Sequence, residues 1–349
     1  MKRLILAMFL GSMLLWSTSV FAATPLGGLA VAVSPGGETL VSAGDNRVLY
    51  VLDAAKMEVT NRVWLGVGIV NLAFNKDGSR VVAEDTDGTL HLIDAKEWKV
   101  LKKAPKAERM SAAPQADLVA GVNTGATPNT IQILSMTDLS SKGQVTLPGK
   151  PKVVSMGLDA GGARLAVLLE AVADESEPKG ATPPAGVKGL ELETFKLKHD
   201  GKTSLLLIFN TADGKQVGEH KLWYSPSSTR WMAFFQGENV LVVNYSNVNA
   251  KIDGKGEVTL FQLDNSFNYG LGISADQTVL MSGGLSDGTY TKVEGLNMVK
   301  FQPDKLPGWP EYFKHFAVAK DGTAYGSTSS YRIIKIKPGG AFDKSYPVF

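Results

Sequence analysis

Residues 82–94 read VAEDTDGTLHLID. Val82, Ala83 and Glu84 form an extended run. Asp85, Thr86, Asp87 and Gly88 supply turn chemistry, and residues 89–93 alternate before ending on Asp94. Asp and Gly between β-branched and apolar runs are the strongest short-range signal for a β-hairpin. The same pattern stands one unit upstream, as VSAGDNRVLYVLD at residues 41–53. A hairpin that recurs at a fixed period marks a repeat architecture, so the period is the next quantity to establish.

Indexed on the first turn of each unit, the chain gives seven matches. The turns fall at residues 34–37, 75–78, 114–117, 159–162, 236–239, 274–277 and 320–322. The steps are about 40 residues, except where extra sequence follows the fourth. Each unit then offers a third apolar strand: VLYVLD, TLHLID, TIQILS, SLLLIFN, EVTLFQLD, NMVKFQP and RIIKIKP. A more polar fourth strand follows in most. Four strands in about 40 residues is the arithmetic of a propeller blade. The expectation is an all-β, seven-bladed β-propeller with four antiparallel strands per blade, preceded by a cleaved signal peptide. The ring closes through a fourth strand for the last unit, drawn from residues 341–349 or from residues 24–28.

The units resemble WD-repeat and YVTN-type blades. EDTDGTLHLID is similar to the WD-repeat pattern of Ser or Asp, any residue, Asp-Gly-Thr, an apolar strand, then Trp-Asp. Asp53, Asp94 and Asp264 stand where that family has its Asp, while Leu52, Ile93 and Leu263 replace the Trp and the Gly-His pair is missing. FNTADGKQVGEH at residues 209–220 resembles the turn between third and fourth strands of a YVTN blade. The resemblance implies a propeller with a tendency to bind partners. It implies no activity, because the fold hosts many unrelated functions.

The N-terminus is built for export. Lys2 and Arg3 precede an uncharged apolar run over residues 4–16, and Val20, Phe21 and Ala22 form a small-residue cleavage site. Residues 1–22 are read as the signal peptide and residues 23–349 as one propeller domain, with an insertion at about 171–202 in the fourth unit. The location implied is the periplasm or the exterior. The chain has no cysteine, so it is not a lipoprotein and has neither disulfide nor Cys-ligated metal. No later stretch approaches the length of a membrane span. Of 36 basic and 34 acidic residues, two basic ones sit in the leader, so the remainder is neutral. That gives no electrostatic case for nucleic acid or an anionic membrane surface.

Function is sought where the repeat breaks, because connections on a rigid scaffold carry recognition. The connections from second to third strand are minimal in the first two units. They lengthen to residues 123–129 in the third, about 171–202 in the fourth, 246–256 in the fifth and 283–295 in the sixth. All of them leave from one face. In the fourth, residues 174–188 are rich in Pro, Gly and acidic residues and read as a mobile arm. Residues 190–198, LELETFKLK, alternate and read as an extended hairpin. Two connections between units on that face are aromatic, around Trp223, Tyr224, Arg230 and Trp231, and around Trp309, Tyr312 and His315. Trp, Tyr and Arg dominate binding hot spots. With Glu175, Glu177 and Phe195 of the insertion they form the candidate surface for a protein partner.

The case for chemistry is thin. His91, His199, His220 and His315 stand in separate segments, without the i, i+2 or i, i+4 spacing of a metal site. Asp85-Thr86-Asp87-Gly88 resembles the start of a calcium loop but lacks its downstream Glu, and reads as a turn. There is no nucleophile elbow and no phosphate loop. No catalytic residue, metal ligand or cofactor is assigned. The leading expectation is a non-enzymatic scaffold. The alternatives are a lactonase-like hydrolase or lyase with a divalent cation in the channel, and a cofactor-free subunit of a redox complex. A small-molecule ligand stays open.

Overall fold

The structure, a computed structural model, describes residues 29–225, 231–265, 267–306 and 311–348, with the backbone alone of Trp231. The expected leader, residues 1–22, lies outside the described residues. The first sheet is β1 (Leu29–Val33), β2 (Thr39–Gly44), β3 (Val48–Asp53) and β4 (Glu58–Trp64), each strand antiparallel to the next. The second is β5 (Ile69–Phe74), β6 (Arg80–Asp85), β7 (Leu90–Asp94) and β8 (Val100–Ala104). The third is β9 (Glu108–Ala113), β10 (Leu118–Asn123), β11 (Thr130–Ser135) and β12 (Ser141–Thr146). The fourth holds β13 (Val153–Leu158), β14 (Arg164–Leu169), β16 (Lys202–Asn210) and β17 (Gln216–Leu222), with the short β15 (Val172–Ala173) against β16. The fifth is β18 (Trp231–Gln236), β19 (Asn239–Asn244), β20 (Asn249–Ile252) and β21 (Val258–Phe261).

The sixth sheet corrects the expected count. Its eight strands run in the order β25 (Asn297–Phe301), β24 (Gly288–Lys292), β23 (Val279–Gly283), β22 (Gly270–Ile273), β26 (Phe313–Val318), β27 (Ala324–Thr328), β28 (Arg332–Ile336) and β29 (Phe342–Pro347). The described residues therefore form six sheets, not seven separate blades. The join is a parallel pairing of β22 with β26 at Leu271 and His315. Glycine permits it. A Cβ on Gly272 would stand 2.1 Å from Phe316 O, and one on Gly270 2.8 Å from Phe313 Cβ. Only bare backbone lets the two strands come this close.

The quoted stretch folds as a hairpin, with Ala83 opposite His91 and Glu84 opposite Leu90. Asp85 Oδ1 accepts the N–H groups of Asp87 at 2.9 Å and Thr89 at 2.8 Å, and Gly88 adopts a φ of 71°. Its Oδ2 lies 2.7 Å from His91 Nε2, and both side chains are buried. A carboxylate only accepts, so His91 donates. One side chain thus closes the turn and fixes the next strand, with His91 facing inward. Glu84 projects from the other face of β6. Its carboxylate accepts the N–H groups of Arg109 at 2.6 Å and Met110 at 2.9 Å on β9, joining the second sheet to the third.

The last sheet returns to the first. Leu29, Val31, Leu40, Tyr50 and Leu52 share one buried cluster with Ala317, Tyr325, Ile333 and Val348. His315 Nδ1 lies 3.0 Å from Val31 O, the Ser327 hydroxyl donates to Leu29 O, and Lys344 Nζ donates to Ala55 O at 3.0 Å. The outer strand of the last unit comes from the C-terminal tail, as β29.

Two further expectations are corrected. In the fifth and sixth units the apolar segments VTLF and NMVKF are the last strands. The third strands are NAKI and GTYTK, β20 and β24. These are short and polar in composition, so they lack the β-branched run by which the others were found. The long connections expected at residues 246–256 and 283–295 therefore shrink to turns. Asp264 follows a last strand and does not match Asp53 and Asp94. Asp253 does, accepting the N–H groups of Lys255 and Glu257, each at 2.9 Å. Second, LELETFKLK is helical: α1 spans Gly189–Lys198. Leu, Glu and Lys are strong helix formers. Glu193 pairs with Lys196 at 2.8 Å, and the His199 ring stacks on Phe195 at 4.1 Å between centroids.

Candidate partner-binding face

Turns from second to third strands and connections between sheets emerge at one end of the strands. The turns between first and second strands emerge at the other. Exposed apolar side chains divide unevenly between these ends. Among the described residues, Trp64, Val70, Val172, Phe267 and Leu285 are large, hydrophobic, exposed and at the first end. The others of this kind, Val100, Leu101, Val217 and Val299, sit on outer strands. Single exposed apolar residues are ordinary, whereas a contiguous apolar patch points to a contact surface.

Among the described residues, a chain of four rings lies on that face. Tyr245 lies 5.5 Å from Phe267 and 4.8 Å from Tyr269 between centroids. Phe267 lies 6.0 Å from Tyr269, and Tyr269 lies 5.1 Å from Tyr312. Lys314 Nζ stands over the Tyr312 ring at 4.6 Å, and Leu285, 50% exposed, bridges to Tyr312 through its backbone. Phe267 is 39% exposed and the three tyrosines are half-buried. The first three rings touch one another in every pair. They leave no room for a cation between them, so they make an apolar knob and not an aromatic cage.

A buried polar network holds the backbone that carries these rings. Asn244 Nδ2 donates to Tyr224 Oη at 2.8 Å. Asn249 Oδ1 accepts Asn244 N–H at 3.0 Å, and Asn268 Nδ2 donates to Asn244 O at 2.6 Å. Asn265 Oδ1 accepts the hydroxyls of Ser282 at 2.8 Å and Thr289 at 2.9 Å, while its Nδ2 donates to Phe267 O at 2.7 Å. Asn268 N–H donates to Tyr245 O at 3.0 Å. A satisfied buried network of this kind is rigid, and a rigid base displays side chains at low entropic cost on binding.

The expected site residues separate into groups. Tyr312 joins the ring chain. Tyr224 is corrected: it is fully buried, its hydroxyl donates to Val248 O at 2.8 Å, and burial pushes its pKa far up. It supports the face from beneath and is not a contact. His315 is engaged with the β1 backbone. Trp223 is half-buried beside α1, with Lys198 Nζ 5.0 Å from its ring centroid. Phe195 stacks on His199, Glu175 is exposed, and Glu177 lies 3.4 Å from Lys221 Nζ. Arg230, Trp309 and the Trp231 side chain lie outside the described residues. Tyr245, Phe267 and Tyr269 were missed in the sequence because they flank strands from different sheets. NSFNYG at residues 265–270 offered the one available signal, two aromatics in a loop.

The segment expected as a mobile arm is tied back at its start. Asp174 Oδ2 lies 2.7 Å from Lys221 Nζ, and Asp174 N–H donates to Gly201 O at 2.9 Å. The Lys221 ammonium, followed by the Ser176 hydroxyl and amide, holds the Asp174 carboxyl well below the usual range.

At the opposite end is a hollow of about 750 Å³ lined by Asp159, Arg164, Phe235, Asp276, Lys292 and Glu294. Arg164 stacks over Phe235 at 4.5 Å and pairs with Asp159 at 3.3 Å. Among the described residues no group of three or more His, Asp or Glu is placed to hold a metal ion. No described helix is long and apolar enough to cross a membrane.

No family model matches the chain, and no curated protein matches it. Among solved structures the fold is widespread, with 1724 matching chains. One is a chain titled Kuenenia stuttgartiensis Hydrazine Synthase, 14% identical, with a TM-score of 0.59 over 86% of this chain and 92% of that one. At that identity the likeness concerns the fold alone.

Proposed function

We propose that the protein is a propeller-type scaffold, exported by its N-terminal leader, that binds a protein partner through one end and performs no chemistry of its own. The observation that carries this reading is the knob of Tyr245, Phe267 and Tyr269, extended by Tyr312 and Leu285. Clustered aromatics on a rigid base are the usual anchors of an interface. The concentration of exposed apolar residues on the same end agrees with it.

The test is capture from an envelope extract with the full chain and with the triple variant Tyr245→Ala, Phe267→Ala, Tyr269→Ala, after circular dichroism has shown both folded. A partner that binds the first and not the second supports the reading. Equal capture by both removes the knob as the contact.

A further inference from the structure

Helix α1 is held by little. None of its ten residues is buried, and no side chain caps its N-terminus, where Lys188 sits. An isolated helix of this length does not persist in water, so its neighbours must hold it in place. Those neighbours are few. Leu197 packs at the margin of the cluster that contains Leu222, Tyr224, Ala250 and Ile252. Lys198 stands over Trp223. The strap before the helix, residues 174–188, follows the two-residue pairing of β15 with β16 and is fixed by Lys221 to Asp174 at 2.7 Å and to Glu177 at 3.4 Å, by the Thr203 hydroxyl to Asp174 at 3.2 Å, by Asp174 N–H to Gly201 O at 2.9 Å, by Gly180 N–H to His199 O at 3.1 Å and by a bridge between Lys179 and Asp200. The ion pairs are partly exposed, and such pairs contribute little and weaken with salt. The sheet beneath is different in kind. β16 lies between β14 and β17, with Leu206, Leu207 and Phe209 buried. Two adjoining segments with such unequal burial open independently, the less buried one first.

We propose that α1 and its strap form a displaceable cap over Trp223. In the closed state the helix and the Lys198 ammonium cover the indole. Release leaves the sheet intact and uncovers Trp223 beside Leu260, which borders the same buried cluster. The cap stands at the end that carries the aromatic knob, so its release enlarges the apolar surface there. The proposal concerns the free chain and does not depend on the existence of a partner.

Hydrogen exchange read by mass spectrometry on the full chain tests it. The amides of residues 190–198 are expected to exchange at least about a hundredfold faster than those of β16. Lys221→Met, a surface change that leaves the sheet untouched, is expected to accelerate exchange there by roughly threefold and nowhere else. The fraction of tryptophan fluorescence removed by Trp223→Phe is expected to become more accessible to acrylamide in Lys221→Met. Three results each overturn the cap: protection of α1 equal to that of β16, indifference of α1 to Lys221→Met, or an unchanged response of Trp223 to acrylamide.

Discussion

The connection between β6 and β7 and the connection between β14 and β16 occupy the same place in their units. The first is Thr86, Asp87, Gly88 and Thr89, and Asp85 accepts the amides of Asp87, Gly88 and Thr89. The second runs over residues 170–201 and includes the short β15, a strap and a helix. In the short connection the decisive groups, Asp85 and His91, are buried and bonded to each other. In the long one the decisive groups, Asp174 and Lys221, remain in contact with water. Breaking a buried pair leaves an uncompensated polar group in a low dielectric, whereas breaking an exposed one hands both partners to solvent. The fold therefore depends on the short connection and tolerates change in the long one.

The largest effect is expected at Asp85. Asp85→Ala removes the acceptor for two backbone amides and for His91, and is expected to cost about 3 kcal/mol or more in urea denaturation. A loss under about 1 kcal/mol breaks the comparison. Next comes its neighbour Glu84. Burial raises its pKa from 4.5 to about 7, against the opposing pull of the Met110 and Arg109 amides. The folded state holds that proton more tightly than the unfolded chain does. Stability from this group is therefore greatest below pH 4.5 and is lost as pH rises to about 7, a change of about 3 kcal/mol. Glu84→Gln is expected to flatten that part of the difference between stabilities measured at acidic and neutral pH. If the two proteins show the same pH profile, Glu84 is not the titrating group.

A smaller effect is expected at Phe267, an exposed ring on a buried polar base. Phe267→Ala is expected to leave stability within about 0.5 kcal/mol. Partner affinity, once a partner is in hand, is expected to fall about tenfold, or about 1.4 kcal/mol, as measured by calorimetry. A large loss of stability makes the ring structural and sharpens the line between display and support. The smallest effect belongs to the long connection. Lys221→Met is expected to change global stability by less than about 0.5 kcal/mol. A cost equal to that of Asp85→Ala erases the distinction between the two connections.

Much of the architecture was legible because the hairpin signal is local. Turn residues, alternation and the spacing of VAEDTDGTLHLID lie within a few positions of one another and depend on no partner. The legible part ended where a partner decides. LELETFKLK carries a strand pattern and helix-forming residues at once; no strand pairs with it, and the helix formers prevail. NAKI and GTYTK become strands because their neighbours pair with them, not through their own propensity. The site was less legible than the fold. Tyr312 stood out, but Tyr245, Phe267 and Tyr269 are separated in sequence by turns and strands, and only packing brings their rings together. Tyr224 looked like a surface aromatic until Asn244 and Val248 were seen to take its hydroxyl.

What the sequence by itself determined is the repeated four-stranded meander, because each hairpin is specified by residues within it. The tertiary structure decided how those units join: the described residues form six sheets, with β22 and β26 paired where Gly270 and Gly272 leave room for the backbone. It also decided which aromatics share a face. Both outcomes depend on distances between residues far apart in the chain, and no local pattern encodes such distances.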